Sequence, residues 1–153
     1  MVEQRTENPW DGSSNLSLNK KFFINLLIMK HNIWNMFASI QNGQLANKLF
    51  ILQKKTKLCS LILNILWDEG YILGYKIENK HFKVFLRYKN NNPVISSLKS
   101  ISKPGNRIYY TCKQLWKINS TKGLIIISTN KGLLTLMDCK KKKIGGEPLV
   151  IIK

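Results

Sequence analysis

The segment Gly123 to Gly132 has the sequence GLIIISTNKG, a continuous apolar run that ends in a polar turn. A short apolar run of this kind is typical of a strand buried on both faces, and Asn-Lys-Gly suits a tight turn. Leu133-Leu134 predicts a returning strand. Thr135 with Asp138 then predicts a capping box, with Asp in place of the usual Glu, for a short helix that ends near Lys143.

Other elements of the C-terminal half are also predicted as strands. They are Val94 to Ile101, Arg107 to Tyr110 and Pro148 to Ile152. The segment Lys89 to Pro93 comes before them. Three Asn residues and a Pro suit a turn or linker, so this segment predicts a boundary in the chain.

The N-terminal half shows helical and strand periodicities in turn. Apolar residues at spacings of three and four predict a helix over residues 18–41, and Asn42-Gly43 predicts its end. The next predicted elements are a strand at Leu49 to Gln53, a helix at Lys57 to Glu69 ended by Gly70, and a hairpin of Tyr71 to Ile77 with His81 to Tyr88.

These patterns predict an α+β protein of two small domains. Residues 1–30 form an N-terminal extension. Residues 31–92 form an N-terminal α/β domain with two helices on a short sheet. Residues 93–153 form a C-terminal, mainly β domain with a short helix.

The charge of the chain predicts a polyanionic partner. It contains 25 Lys and Arg against 8 Asp and Glu, which gives a net charge of +17 and an isoelectric point near 10.0. Nucleic acid is the first interpretation and an anionic membrane surface is the second. The cations are spread over predicted strands and loops, which disfavours a membrane surface. No apolar run approaches the roughly 20 residues of a membrane span.

The residues suited to metal binding or nucleophilic catalysis are scattered. Cys59, Cys112 and Cys139 lie far apart, and His31 and His81 are isolated from them. This spacing supports neither a zinc site nor a disulfide framework. An enzyme that used Cys112 or Cys139 would need a nearby His. We therefore predict no catalysis, no metal, no cofactor and no small-molecule substrate.

The polar turn after the apolar run has the chemistry of an RNA contact. The Ser128 and Thr129 hydroxyls can bond a base edge or a ribose 2′-OH, and Lys131 attracts phosphate. Gly132 permits close approach because it has no Cβ. An ordinary hairpin turn is the alternative interpretation of the same residues.

Several motifs, taken together, resemble one family. Ser128-Thr129-Asn130-Lys131-Gly132 is followed by Gly145-Gly146-Glu147, and Ser102-Lys103-Pro104-Gly105 precedes Arg107-Ile108-Tyr109. Gln41-Asn42-Gly43-Gln44 and Ala46-Asn47-Lys48 lie further upstream. From about His31 to Lys153 the chain resembles small-subunit ribosomal protein eight (uS8) of bacteria and organelles. Its sequence is more similar to the mitochondrial form of the family than to the chloroplast form.

The resemblance implies a set of RNA-binding positions. In the C-terminal half they are Ser128, Thr129, Asn130, Lys131, Gly132, Gly145, Gly146, Glu147, Tyr109 and Lys103. In the N-terminal half they are Asn42, Lys48, Lys55, Thr56 and Lys57. Asn130 departs from the family's usual Ser. Lys54 and Lys55 replace a Pro and a Ser, which favours phosphate contact over base-specific contact.

The resemblance also implies a function. It implies a primary rRNA-binding constituent of the small ribosomal subunit that stabilises a helix in the central domain of the rRNA during assembly and translation. Neighbouring small-subunit proteins are the other implied partners. The implied location is the mitochondrial matrix, within the mitoribosome, with the chloroplast as alternative. An RNA-binding regulator that represses its own mRNA is the alternative function.

Overall fold

The computed structural model describes residues 32–103, 105–119 and 123–153, and it confirms the predicted α+β class. In chain order the elements are α1 (described over 32–45), β1 (Phe50–Lys54), α2 (Lys57–Asp68), β2 (Ile72–Glu78), β3 (His81–Leu86), β4 (Tyr88–Lys89), β5 (Asn92–Pro93), β6 (Leu98–Ser100), α3 (Cys112–Trp116), β7 (Leu124–Thr129), β8 (Gly132–Thr135), α4 (Leu136–Lys142) and β9 (Glu147–Ile152).

The N-terminal half is an antiparallel sheet of order β1-β3-β2 with two helices packed on its inner face. The apolar stripe of α1 supplies Ile33, Met36, Phe37 and Ile40 to the core. The predicted strand, second helix and hairpin are all present, with ends shifted by one or two residues.

Local sequence sets the ends of α2. The Thr56 hydroxyl accepts a hydrogen bond from the Cys59 backbone N–H at 3.3 Å and so caps the first turn. Gly70 follows the last turn at φ +73°, a left-handed conformation that suits glycine. The helix buries four side chains at helical spacing, Cys59, Ile62, Leu63 and Leu66.

The C-terminal half is an antiparallel sheet of order β6-β9-β7-β8, with α3 and α4 packed together beside it. The last strand, β9, lies between β6 and β7. The turn, the short helix after Thr135 and its end at Lys143 are present as predicted. The Thr135 hydroxyl accepts from the Asp138 N–H at 3.2 Å and donates to Asp138 Oδ2 at 2.9 Å.

Strand β7 separates two hydrophobic cores. Leu124 and Ile126 pack into a cluster that also contains side chains of α1, α2 and the N-terminal sheet, whereas Ile125 and Ile127 face α3 and α4. This double burial explains the unbroken apolar run. The first cluster crosses residue 92, so the two halves share a core, and the division at 92/93 stays a prediction.

Three predictions of local structure were wrong. Helix α1 continues past Asn42-Gly43 to residue 45. An added Cβ on Gly43 would be 2.6 Å from Ile51 Cγ2, so this glycine permits close packing and does not end the helix. Arg107 to Tyr110 is not a strand; Tyr110 makes one isolated bridge with Gly146. The strand predicted over Val94 to Ile101 shortens to Leu98–Ser100.

Helix α3 was not predicted, although its sequence carries a signal. Thr111 and Gln114 form a reciprocal capping box, in which the Thr111 N–H donates to Gln114 Oε1 at 2.8 Å. The expected extension 1–30, the first part of the helix predicted over 18–41, and Pro104 lie outside the described residues.

Candidate nucleic-acid interface

The two C-terminal motifs meet around one depression of about 540 Å³, here called the C-terminal depression. Its lining residues are Tyr109, Ser128, Thr129, Asn130, Ile144, Gly145, Gly146 and Glu147. The end of β7 and the start of β9 supply the two motifs, because Ser128 and Glu147 are paired residues of the sheet. The structure therefore brings together residues that are far apart in sequence.

Gly145 and Gly146 are required by contacts within the protein. A Cβ on Gly145 would lie 2.5 Å from the Tyr110 carbonyl oxygen, and one on Gly146 would lie 2.4 Å from the Ser128 carbonyl oxygen. Gly146 and Tyr110 also exchange two backbone hydrogen bonds, at 2.9 and 3.0 Å. The glycine pair thus permits the close packing that forms the floor of the C-terminal depression.

The turn between β7 and β8 is held by Thr129. Its hydroxyl donates to the Gly132 carbonyl oxygen at 2.8 Å and accepts from the Lys131 N–H at 3.2 Å. Gly132 has φ +108° and no atom within 4 Å of an added Cβ. The left-handed conformation falls on Gly132 and not on Asn130, whose side chain is exposed at the tip with that of Lys131.

Glu147 is buried, with 7% of its surface exposed. The Ser102 hydroxyl, itself buried, donates a hydrogen bond to Glu147 Oε1. A carboxylate in this position cannot be a freely solvated residue at a strand start. It anchors the segment that precedes α3 to the first residue of β9.

Tyr109 and Lys103 occupy different positions near this site. Tyr109 is 63% exposed at the rim of the C-terminal depression, where its ring can contact a ligand. Lys103 is exposed in a turn closed by reciprocal backbone hydrogen bonds with Asn106, at 3.0 and 3.1 Å. It does not line the depression.

The N-terminal positions fall in two further cavities. Lys55, Thr56 and Lys57 line one of about 890 Å³, here called the lysine groove, together with Lys54, Ser60, Ile77, Asn79, Lys80, His81 and Phe82. No Asp or Glu is among these lining residues, and the neighbouring Glu78 is 3.6 Å from Lys83, so the lining of the groove is positively charged. Asn42 and Lys48 line a separate cavity of about 700 Å³ beside β1.

Lys80 and His81 were not predicted as binding residues, although they line the lysine groove beside Lys54, for which phosphate contact was predicted. His81 is opposite Lys54 in the β1–β3 ladder, and the Lys55 N–H bonds the Lys80 carbonyl oxygen at 2.9 Å. The register of the strands is the signal that places them there. This register is known only from the structure, which shows that β1 pairs with β3.

The lysine run 140–143 has structural roles at both ends. Lys140 Nζ donates to the Ile118 carbonyl oxygen at 2.7 Å and lies 5.8 Å from the Trp116 ring centroid. Lys143 caps α4 at φ 54°. Lys141, Lys142 and Lys143 are exposed, so they are the residues of this run that can meet phosphate.

The described ranges contain no group of three or more His, Cys, Asp or Glu that could hold a metal ion. Among the same residues no helix is long and apolar enough to cross a membrane. A basic α+β chain with a charged groove and an exposed turn is of the class that binds polyanions.

The chain belongs to the ribosomal protein S8 family, whose family model matches residues 31–152. It is 38% identical over 122 residues to small ribosomal subunit protein uS8 of Buchnera aphidicola subsp. Cinara cedri, covering 78% of this chain and 94% of the relative. With the uS8 protein of Ehrlichia chaffeensis the identity is 41% over 122 residues, covering 76% and 92%.

An organellar relative is also similar. Small ribosomal subunit protein uS8m of Acanthamoeba castellanii is 38% identical over 121 residues, covering 77% of this chain and 95% of the relative. The family expected from the motifs is confirmed, in its bacterial and organellar type.

Proposed function

We propose that this protein is a structural constituent of the small ribosomal subunit and that it binds rRNA through the C-terminal depression and the lysine groove. The observation that carries the proposal is the convergence of the two C-terminal motifs and Tyr109 on one depression. The family relation supports the ribosomal assignment.

The two sites are suited to different contacts. The lysine groove offers ammonium groups and has no carboxylate among its lining residues, which suits contact with the phosphate backbone; such contact carries no sequence information. The C-terminal depression offers the Ser128 hydroxyl, the exposed Asn130 amide and the Tyr109 ring, which suit ribose, base edges and stacking. The first site supplies affinity and the second recognises local RNA shape.

Four residues of the C-terminal depression also support it from within the protein. Gly145, Gly146 and Glu147 position the turn and the floor of the depression, and the Thr129 hydroxyl fixes the turn in which Lys131 is exposed. Contact of these atoms with RNA remains part of the proposal. Their packing explains why both motifs are needed for one site.

The finer assignment is also a proposal. We place the rRNA target in the central domain of the small-subunit rRNA, with neighbouring small-subunit proteins as further partners. The location proposed is the mitochondrial matrix, supported by the uS8m relative, while the other similar proteins described above are bacterial. The role proposed is stabilisation of the folded rRNA and not catalysis.

The test is binding of the purified protein to a fragment of its own small-subunit rRNA, measured at two salt concentrations against an unrelated hairpin of equal length. We expect selective binding that persists at the higher salt. Equal binding to both RNAs, lost steeply with salt, would show that only lysines are engaged and would reject recognition by the C-terminal depression.

A further inference from the structure

Among the described residues, the edge of β1 that faces away from β3 is unpaired and carries several exposed apolar side chains. Leu49 is 76% exposed, Leu52 58% and Phe50 42%. They lie along the cavity of about 700 Å³ whose opposite wall is formed by Ser39, Asn42 and Gly43 of α1. An apolar edge strand of this kind is usually covered or protected, because its backbone is ready to pair with another strand.

The hydrogen bonds of β1 show which of its backbone groups are available for pairing with another strand. The Leu86 N–H donates to the Leu49 carbonyl oxygen at 3.0 Å, and the Lys55 N–H donates to the Lys80 carbonyl oxygen at 2.9 Å. Antiparallel pairing alternates, so odd-numbered residues of β1 bond to β3. The N–H and C=O groups of Phe50 and Leu52 therefore point towards the open edge.

The other edge of the same sheet is protected. Strand β2 has a register shift between Ile72 and Gly74, and Gly74 has φ +150°. Bulges of this kind twist an edge and disfavour pairing with another chain. In the N-terminal sheet, β1 is thus the edge that can accept a strand.

The chemistry of the edge favours a protein over RNA bases. Lys83 Nζ lies 4.4 Å from the Phe50 ring centroid, and the Phe85 ring lies 6.4 Å away at a tilt of 60°. The Phe50 ring is thus already engaged by an ammonium group and a second ring. Leu49 and Leu52 are aliphatic and offer no π-face for base stacking.

The charge around the β1 edge further limits which kind of partner can bind there. Lys48, Lys54 and Lys83 flank the edge, and Glu78 is 3.6 Å from Lys83. A second copy of this chain would bring another +17 and would be repelled. Because Lys48, Phe50, Leu52 and Lys54 share one face of β1, an extended segment that presents apolar residues at its centre and acidic residues near its ends on that face would match both the apolar side chains and the lysines.

We propose that the β1 edge binds an extended, acidic segment of a neighbouring small-subunit protein, which adds as a strand beside Phe50 and Leu52. This inference rests on the proposed function for the source of the partner. It assigns a protein contact to an edge that lies outside the C-terminal depression and next to the lysine groove, to which Lys54 belongs.

Photocrosslinking in assembled small subunits tests the proposal. Leu52 is replaced by p-benzoylphenylalanine in the full chain, and Leu73, which is 64% exposed on β2, is replaced in a matched control. We expect the Leu52 probe to crosslink to an acidic segment of another subunit protein and the Leu73 probe not to crosslink to that segment.

A crosslink from Leu52 to rRNA, to residues 1–31 of the same chain or to a second copy, or no crosslink, would overturn the proposal. Absence of the unsubstituted protein from the subunits would instead overturn the proposed function, and this inference with it.

A competition experiment gives a second, independent readout. Leu52→Asn and Leu73→Asn, which leave the net charge unchanged, each compete with the unsubstituted protein for incorporation into subunits. We expect Leu52→Asn to be incorporated about tenfold less well, with its affinity for the rRNA fragment unchanged, and Leu73→Asn to compete equally. Equal incorporation of both variants would contradict strand addition at β1.

Discussion

The Ser102 hydroxyl donates a hydrogen bond to Glu147 Oε1 although the two residues are 45 positions apart. Both side chains are buried, at 3% and 7% exposure. This bond joins the segment before α3 to the start of β9 directly behind the C-terminal depression. A residue expected to meet RNA is thus also part of the internal support of the site.

Substitution Ser102→Ala should lower the free energy of unfolding by about 1–3 kcal/mol, because a buried carboxylate loses a hydrogen-bond donor. Urea unfolding measures the change. The matched control is Ser60→Ala, which removes an exposed hydroxyl that donates to the Lys57 carbonyl oxygen at 2.8 Å, and it should cost about 0.5 kcal/mol or less. Equal losses in the two variants would refute a special role for the buried pair.

Substitution Gly146→Ala should lower the free energy of unfolding by about 1–3 kcal/mol, since its Cβ would overlap the Ser128 carbonyl oxygen and the Ile127 side chain. Gly105→Ala is the control, because an added Cβ there has no atom within 4 Å. Urea unfolding of both variants decides the matter. A Gly146→Ala protein as stable as Gly105→Ala would show that the close packing is not needed.

Substitution Thr129→Ala should weaken binding to the rRNA fragment by about 1–3 kcal/mol. The structure gives an indirect reason, since the hydroxyl holds the turn through Gly132 and Lys131. Thr129→Ser keeps both hydrogen bonds and should bind with nearly normal affinity. If Thr129→Ala bound the rRNA fragment with unchanged affinity at either salt concentration, the turn would not be part of the binding site.

Substitution Lys55→Gln should weaken binding to every RNA to a similar degree and reduce the salt slope by about 1, as expected for one lost phosphate contact. Lys89→Gln is the control, because Lys89 is exposed on β4 and does not line the lysine groove. The affinity of Lys55→Gln and of Lys89→Gln for RNA, measured across a salt series, distinguishes the two variants. The same slope for Lys55→Gln and the unsubstituted protein would argue against phosphate contact in the groove.

Burial raises the pKa of the Cys59 thiol above its ordinary value of 9.0, and the Thr56 hydrogen bond lowers it by less. The folded protein then holds this proton more tightly than the unfolded chain. The resulting stability is complete below about pH 9 and declines as the pH rises towards the folded pKa. Cys59→Ala should show a shallower decline above about pH 9 in urea unfolding at several pH values. Parallel stability curves for the two proteins would contradict this linkage.

Local patterns predicted the elements whose sequence matches their burial. Strand β7 was predicted because an apolar run without alternation indicates burial on both faces, and the two cores supply that burial. Helix α2 was predicted because its apolar face and Gly70 indicate where it lies and ends, and the cap that Thr56 forms in the structure agrees with its start. In these segments local preference and tertiary packing agree.

Tertiary contacts explain most of what local patterns did not predict. Asn42-Gly43 looks like a helix end, but the missing Cβ of Gly43 is used for contact with Ile51 and Leu86. Arg107 to Tyr110 has the composition of a strand, but only Tyr110 finds a pairing partner, in Gly146. The capping box that starts helix α3, Thr111 with Gln114, is present in the sequence, but the helix was not predicted. The motifs indicated the C-terminal depression, whereas its buried Ser102–Glu147 support required the fold.

The position of β9 between β6 and β7 has a consequence for how the chain folds during its own synthesis. Residues 98–100 and 124–129 emerge first, yet they are not paired with each other and must wait for residues 147–152 to lie between them. Until residues 147–152 have been synthesised, β7 therefore has an unpaired edge on the side of β6, and the larger core lacks Val150 and Ile152. A stalled or prematurely released product would lack the central strand and would be a natural target for chaperones and proteases.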